Sequence, residues 1–148
     1  MGLMDKLKNA VNSITGGGAR ITVTAESPTR DAPFKVRVKA VVADQALEVS
    51  RVYVQLNGRE TVVVHNVHHD NYVRDETEYC NTFDQEFNIA QAQTLNAKAE
   101  YEWEGQVEFP KNILPTYRGR NATHEIRILA GLDTKGNDPD SGWIVLPV

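Results

Sequence analysis

The chain has 148 residues, a net charge of −4 and 41% apolar residues, which suits one domain able to bury a core of its own. The acidic balance gives no electrostatic basis for nucleic-acid binding. A single cysteine, Cys80, excludes a disulfide-stapled scaffold and fits a reducing, cytoplasmic setting.

No apolar run approaches the roughly 18 residues of a bilayer span. The first residues read as an amphipathic helix over 1–15. Leu3, Met4, Leu7, Val11 and Ile14 form an apolar stripe at helical spacing, with Asp5, Lys6, Lys8 and Asn9 on the other side. Polar interruptions distinguish this segment from a signal peptide. Three glycines, Gly16 to Gly18, stop a helix and predict a hinge over 16–19. A sandwich domain is expected over 20–148.

Within that domain the period is two. Ile21 to Ala25 alternates, and Phe34 to Ala43 places Phe34, Val36, Val38 and Ala40 on one face against Lys35, Arg37 and Lys39. Ser50 to Leu56 turns Val52, Val54 and Leu56 inward and Arg51, Tyr53 and Gln55 outward. Asn57-Gly58 is a two-residue hairpin signal, with Arg59 to Val67 as the returning strand. HHDNYVRDETEYC is polar and aperiodic and reads as a long loop. Thr82 to Ile89 reads as a short strand, and Ala90 to Asn96 as a turn or helical turn. Ala99 to Phe109, Thr123 to Leu132 and Trp143 to Val148 complete the set. Eight short strands with frequent turns predict an all-β, antiparallel, immunoglobulin-like sandwich.

Between two of these strands lies FPKNILPTYRGR, Phe109 to Arg120. Pro110 and Pro115 end ladder pairing, as a corner from one sheet to the other requires. Ile113 and Leu114 are expected to cap the core there, leaving Arg118 and Arg120 in solvent. The order Phe109-Pro110, Ile113-Leu114-Pro115, Tyr117, Gly119, then a strand ending Ala130-Gly131-Leu132-Asp133, resembles the arrestin-like fold family. Bacterial sporulation-control arrestin-like proteins and the retromer arrestin-like subunit are relatives of this kind. The resemblance implies a sandwich over roughly Ala19 to Val148 and a binding function without catalysis. Arrestins carry two sandwiches in tandem, and this chain has room for one.

Sandwich connectivity would lay Lys35, Arg37 and Lys39 beside Glu100, Glu102 and Glu104, cross-strand charge pairs that set register more than stability. His65, His68, His69 and Asp70 are the metal-like cluster. In a strand His65 and His68 point to opposite faces, so a polar strand end outweighs a zinc site. Asp133 to Gly142 carries oxygen groups on a glycine-bearing loop, but without EF-hand spacing, and the same residues make tight turns. Cys80 sits among Asp75, Glu76, Glu78 and Asp84, surroundings that raise a thiol pKa. No nucleophile–base arrangement or phosphate loop is present, so neither an enzyme, a cofactor nor a small-molecule substrate is expected. Tyr101, Trp103 and Trp143 read as core rather than as a ligand platform.

Charge is unevenly spread. Asn66 to Glu108 contains ten acids against Arg74 and Lys98. Such a dipolar chain suits association by complementarity, although a solvated acidic face is the plainer reading. The expectation is a non-enzymatic scaffold or protein-binding protein that forms a homo-oligomer through its helix or its open sheet edges, or else binds another protein. The alternative is a peripheral membrane or trafficking adaptor anchored by the helix.

Overall fold

A computed structural model describes residues 17–148. The expected helix over 1–15, with Leu3, Met4, Leu7, Val11 and Ile14, lies outside the described residues. The described chain contains nine strands: β1 (Ala19–Glu26), β2 (Phe34–Val42), β3 (Leu47–His68), β4 (Val73–Ala90), β5 (Gln93–Leu95), β6 (Glu100–Val107), β7 (Tyr117–Arg118), β8 (Ala122–Thr134) and β9 (Ile144–Val145).

They make two antiparallel sheets. The smaller has the order β1-β2-β6. The larger has the order β4-β3-β8-β7, with β5 pairing β3 and β9 pairing β8. Alternation explains the layering: β2 buries Phe34, Val36, Val38, Ala40 and Val42, and β3 buries Val52, Val54 and Leu56. Ile126, Ile128, Ala130 and Leu132 of β8 meet them across the sandwich. Each Val, Leu, Ile or Phe side chain so taken out of water contributes roughly 1.5–3 kcal/mol. Gly18 is tied to the start of this body. Its carbonyl accepts from the Ala43 N–H at 2.9 Å, and β1 starts one residue later.

Three expectations are corrected. Asn57-Gly58 is not a hairpin turn but lies inside the 22-residue β3, paired to Asp84 and Phe83 on one side and to Arg127 and Ile126 on the other. Gly58 is glycine for space. A Cβ there would sit 2.3 Å from Thr82 Oγ1 and 2.7 Å from the Phe83 ring. Arg59 to Val67 therefore continues the same strand. HHDNYVRDETEYC is not a long loop, since the chain turns at His69 to Tyr72 and returns as β4, which absorbs Thr82 to Ile89. Ala90 to Asn96 includes strand β5 rather than a helical turn.

β3 and β4 outrun the rest of the sheet. β8 pairs β3 only as far as Val62↔Ala122, whereas β4 follows to His68↔Val73. Beyond Val62 the hairpin is a two-stranded arm. A register shift between Val64 and Val67 bends it, with Asn66 at φ 56° and its N–H bonded to Asp75 Oδ1; asparagine tolerates that left-handed conformation.

Candidate interaction surfaces

The crossover from β6 to β7 ties the two sheets together. Phe109 is buried and packs 5.3 Å from Phe34 of the small sheet and 6.0 Å from Phe83 of the large one. Ile113 also packs on the core, but Leu114 does not cap it and is 46% exposed. His124, buried at the start of β8, locks the corner. Its Nδ1 donates to the Pro115 carbonyl at 2.9 Å, and its Nε2 meets Thr82 Oγ1 of β4 at 2.7 Å. A carbonyl only accepts, so Nδ1 carries a proton. Arg118 and Arg120 are exposed.

On the outer face of the small sheet, β2 and β6 align Arg37 with Glu104, Lys39 with Glu102 and Val41 with Glu100. Arg37 is the hub. It reaches Glu102 and Glu104 at 2.8 Å each and Glu26 of β1 at 3.2 Å, while Lys35 approaches Glu104 at 3.9 Å. The hydrogen bond to Arg37, then the charge of Lys35, holds the Glu104 carboxyl below the usual range. No ion pair joins Lys39 or Glu100 among the described residues. Three strands are thus stitched through one guanidinium, which fits the planar fork of arginine.

The imidazoles of the arm are spent on carboxylates. His65 bonds Asp75 at 3.0 Å and Asn121 at 2.8 Å. His69 bonds Glu76 at 2.6 Å and stacks on Tyr72. His68 closes the ladder opposite Val73, and Asp70 is in the turn. No three His, Cys, Asp or Glu side chains among the described residues converge as a metal site. The Asp133–Gly142 loop likewise uses its oxygens internally. Asp138 accepts from Tyr53 O–H and Thr134 N–H, Asp140 from Gly142 N–H, and Asp133 pairs Arg51. Burial first, then Asp138, pushes the Tyr53 phenol above its ordinary range. Gly131 is required beside that ring, since a Cβ would lie 2.5 Å from it.

Tyr101 and Trp103 stack on each other, half-buried against the core, whereas Trp143 is 38% exposed with Arg127 over its ring. Arg127 also donates to Asn57 Oδ1 at 2.7 Å, and Asn57 donates to the Phe83 carbonyl at 3.3 Å. Burial, then the nearby Arg59, lowers the Arg127 pKa. This buried polar tie, and His124, escaped sequence reading. Asn57 carried a stronger turn signal, and a histidine at the start of a strand carries none. Cys80 is exposed on β4. The outer edge of β4, 18 residues long, pairs with no described strand.

No family model and no curated protein matches the sequence. Among solved structures the chain is similar to Spo0M, the sporulation control protein from Bacillus subtilis, with a TM-score of 0.62 and 17% identity. The match covers 88% of this chain and 49% of that one, so the chain spans about half the length of that protein. The likeness establishes the fold: an all-β, antiparallel, arrestin-like sandwich.

Proposed function

We propose that the protein is a non-enzymatic scaffold that binds copies of itself. One observation carries this reading. β4 is a long edge strand whose outer backbone groups have no partner among the described residues. Monomeric proteins commonly blunt such an edge, because it is a template for another strand. The open groove beside β7 and β9 is lined by His124, but both its ring nitrogens are already taken up by Thr82 and the Pro115 carbonyl.

Light scattering on the full chain and on a chain starting at Ala19 tests it. A multimer in both species is the expected result and places association on the sandwich. A multimeric full chain with a monomeric truncation assigns it to residues 1–18. Monomers in both overturn self-association, and pelleting with lipid vesicles would then favour the adaptor reading.

A further inference from the structure

The two edges of the large sheet differ in chemistry. One is β4 with the arm. The other is broken, with β9 and β7 in tandem along β8, opposite Arg127–Ile128 and Thr123–His124. Between them the Leu146 N–H bonds the Ile126 carbonyl. The large hydrophobic side chains left exposed among the described residues all gather at these edges. Val64, Tyr72 and Val73 belong to the arm, Tyr79 to β4 just beside it, and Leu114, Tyr117, Trp143, Ile144 and Val145 to the β7/β9 side. Apolar groups concentrated at two places mark contact surfaces.

Charge divides the same way. β4 carries Asp75, Glu76, Glu78, Asp84 and Glu86 against Arg74 alone. Residues 109–123 carry Lys111, Arg118 and Arg120 and no acid. Two β4 edges would set acids against acids, which destabilises a strand pair. An acidic edge on a basic one does the opposite.

Strand direction also fits. β4 and β8 are both antiparallel to β3, so β4 runs with β8; β7 and β9 run against β8 and therefore against β4. A copy displaced sideways, without inversion, lays its β4 antiparallel to its neighbour's β7/β9 edge. An open groove of about 500 Å³ lies there, lined by Tyr117, Arg118, His124, Val145, Leu146 and Val148 among others. It can receive an aromatic ring from the β4 edge, such as Tyr79, which is 59% exposed.

We infer that copies of this chain join head to tail by sheet continuation, the β4 edge of one on the β7/β9 edge of the next. This deepens the self-association reading and rests on it. The contact is heterologous: a series built by sideways displacement leaves one free edge of each kind at its ends and is an open, twisted filament unless the rotation between copies closes a ring.

The test uses full-length chains in sedimentation velocity, with circular dichroism to verify folding. One variant is Arg118→Glu with Arg120→Glu; the other is Glu78→Arg with Asp84→Arg. The wild-type chain should gain mass with concentration and lose it with salt. Each variant alone should associate about tenfold more weakly, because the first sets acid against acid and the second cancels the acidic excess of β4. An equimolar mixture should recover assembly, because the unaltered acidic β4 of the first variant then meets the unaltered basic edge of the second. If either folded variant alone assembles like the wild type, the head-to-tail contact is overturned while self-association stands. A wild-type chain that stays monomeric overturns both.

Discussion

The sandwich and the arm are made from the same two strands and are held together differently. Between Val52 and Gly58, β3 has partners on both sides and a second sheet beneath it, and Val52, Val54 and Leu56 are fully buried. Beyond Val62 the same strand has β4 as its one strand partner, with a last backbone bond from the Val63 N–H to the Asn121 carbonyl, and its side chains pass into solvent. There the contacts are cross-strand and polar: His65 to Asp75 and His69 to Glu76. A two-stranded ribbon of this kind is marginal by itself. The lesson is that burial and exposure are placed at opposite ends of one hairpin, so the arm should open more readily than the core.

Paired truncations should expose that gradient most strongly. Leu56→Ala removes a fully buried side chain and should cost about 2–5 kcal/mol in urea denaturation. Val64→Ala, on the arm and 43% exposed, should stay within about 0.5 kcal/mol of the wild-type chain. Equal losses at both positions would mean that the arm is part of the cooperative core.

Gly58→Ala comes next. Its added methyl must push Thr82 Oγ1 and the Phe83 ring, and that ring rests on Phe109. Overpacking of this sort costs about 1–3 kcal/mol. A neutral result in the same denaturation assay would mean that β4 gives way easily at its register shift opposite Gly58 and Arg59. Arg37→Met should have a smaller effect, because its guanidinium and its three carboxylate partners are exposed and salt screens them. The measurable sign is a stability difference from the wild-type chain that shrinks as salt is added; a difference indifferent to salt would point to lost packing of the side-chain stem instead.

What could be read from sequence follows the same division. Wherever a strand has one wet and one dry face, alternation reveals it, as in Phe34 to Val42. The crossover was legible because Pro110 and Pro115 must interrupt pairing and Phe109 must be buried near them. The arm was not. With no buried face it needs no alternation, so HHDNYVRDETEYC looked like loop. Asn57-Gly58 misled for a related reason. Glycine admits a turn, but it equally admits a neighbour's side chain, and only the placement of Phe83 decides between them. Charge pairing across β2 and β6 could be anticipated from strand order, whereas the edge chemistry of β4 needs the sheet order to be seen.

The smallest expected effect lies in the arm alone and depends on pH. The hydrogen bond to Asn121, then that to Asp75 and its charge, raises the His65 pKa above the ordinary 6.5. The Asn66 N–H, then His65, lowers the Asp75 pKa below the ordinary 3.8. The sign differs for the two groups. The contribution of His65 is complete below 6.5 and is lost as pH rises through its raised native value. The contribution of Asp75 is complete above 3.8 and is lost as pH falls through its depressed value. Between those two ordinary values both act together, and the arm is held most tightly. Both groups are exposed, so global unfolding should barely register the change. Amide hydrogen exchange should register it as protection of Val63 to Val67, corrected for intrinsic exchange, that falls on the alkaline side of that window while Val54 stays constant. His65→Gln should flatten the profile. A wild-type arm whose protection does not vary with pH would show that the His65–Asp75 contact is incidental to its order, leaving backbone pairing with β4 to hold it.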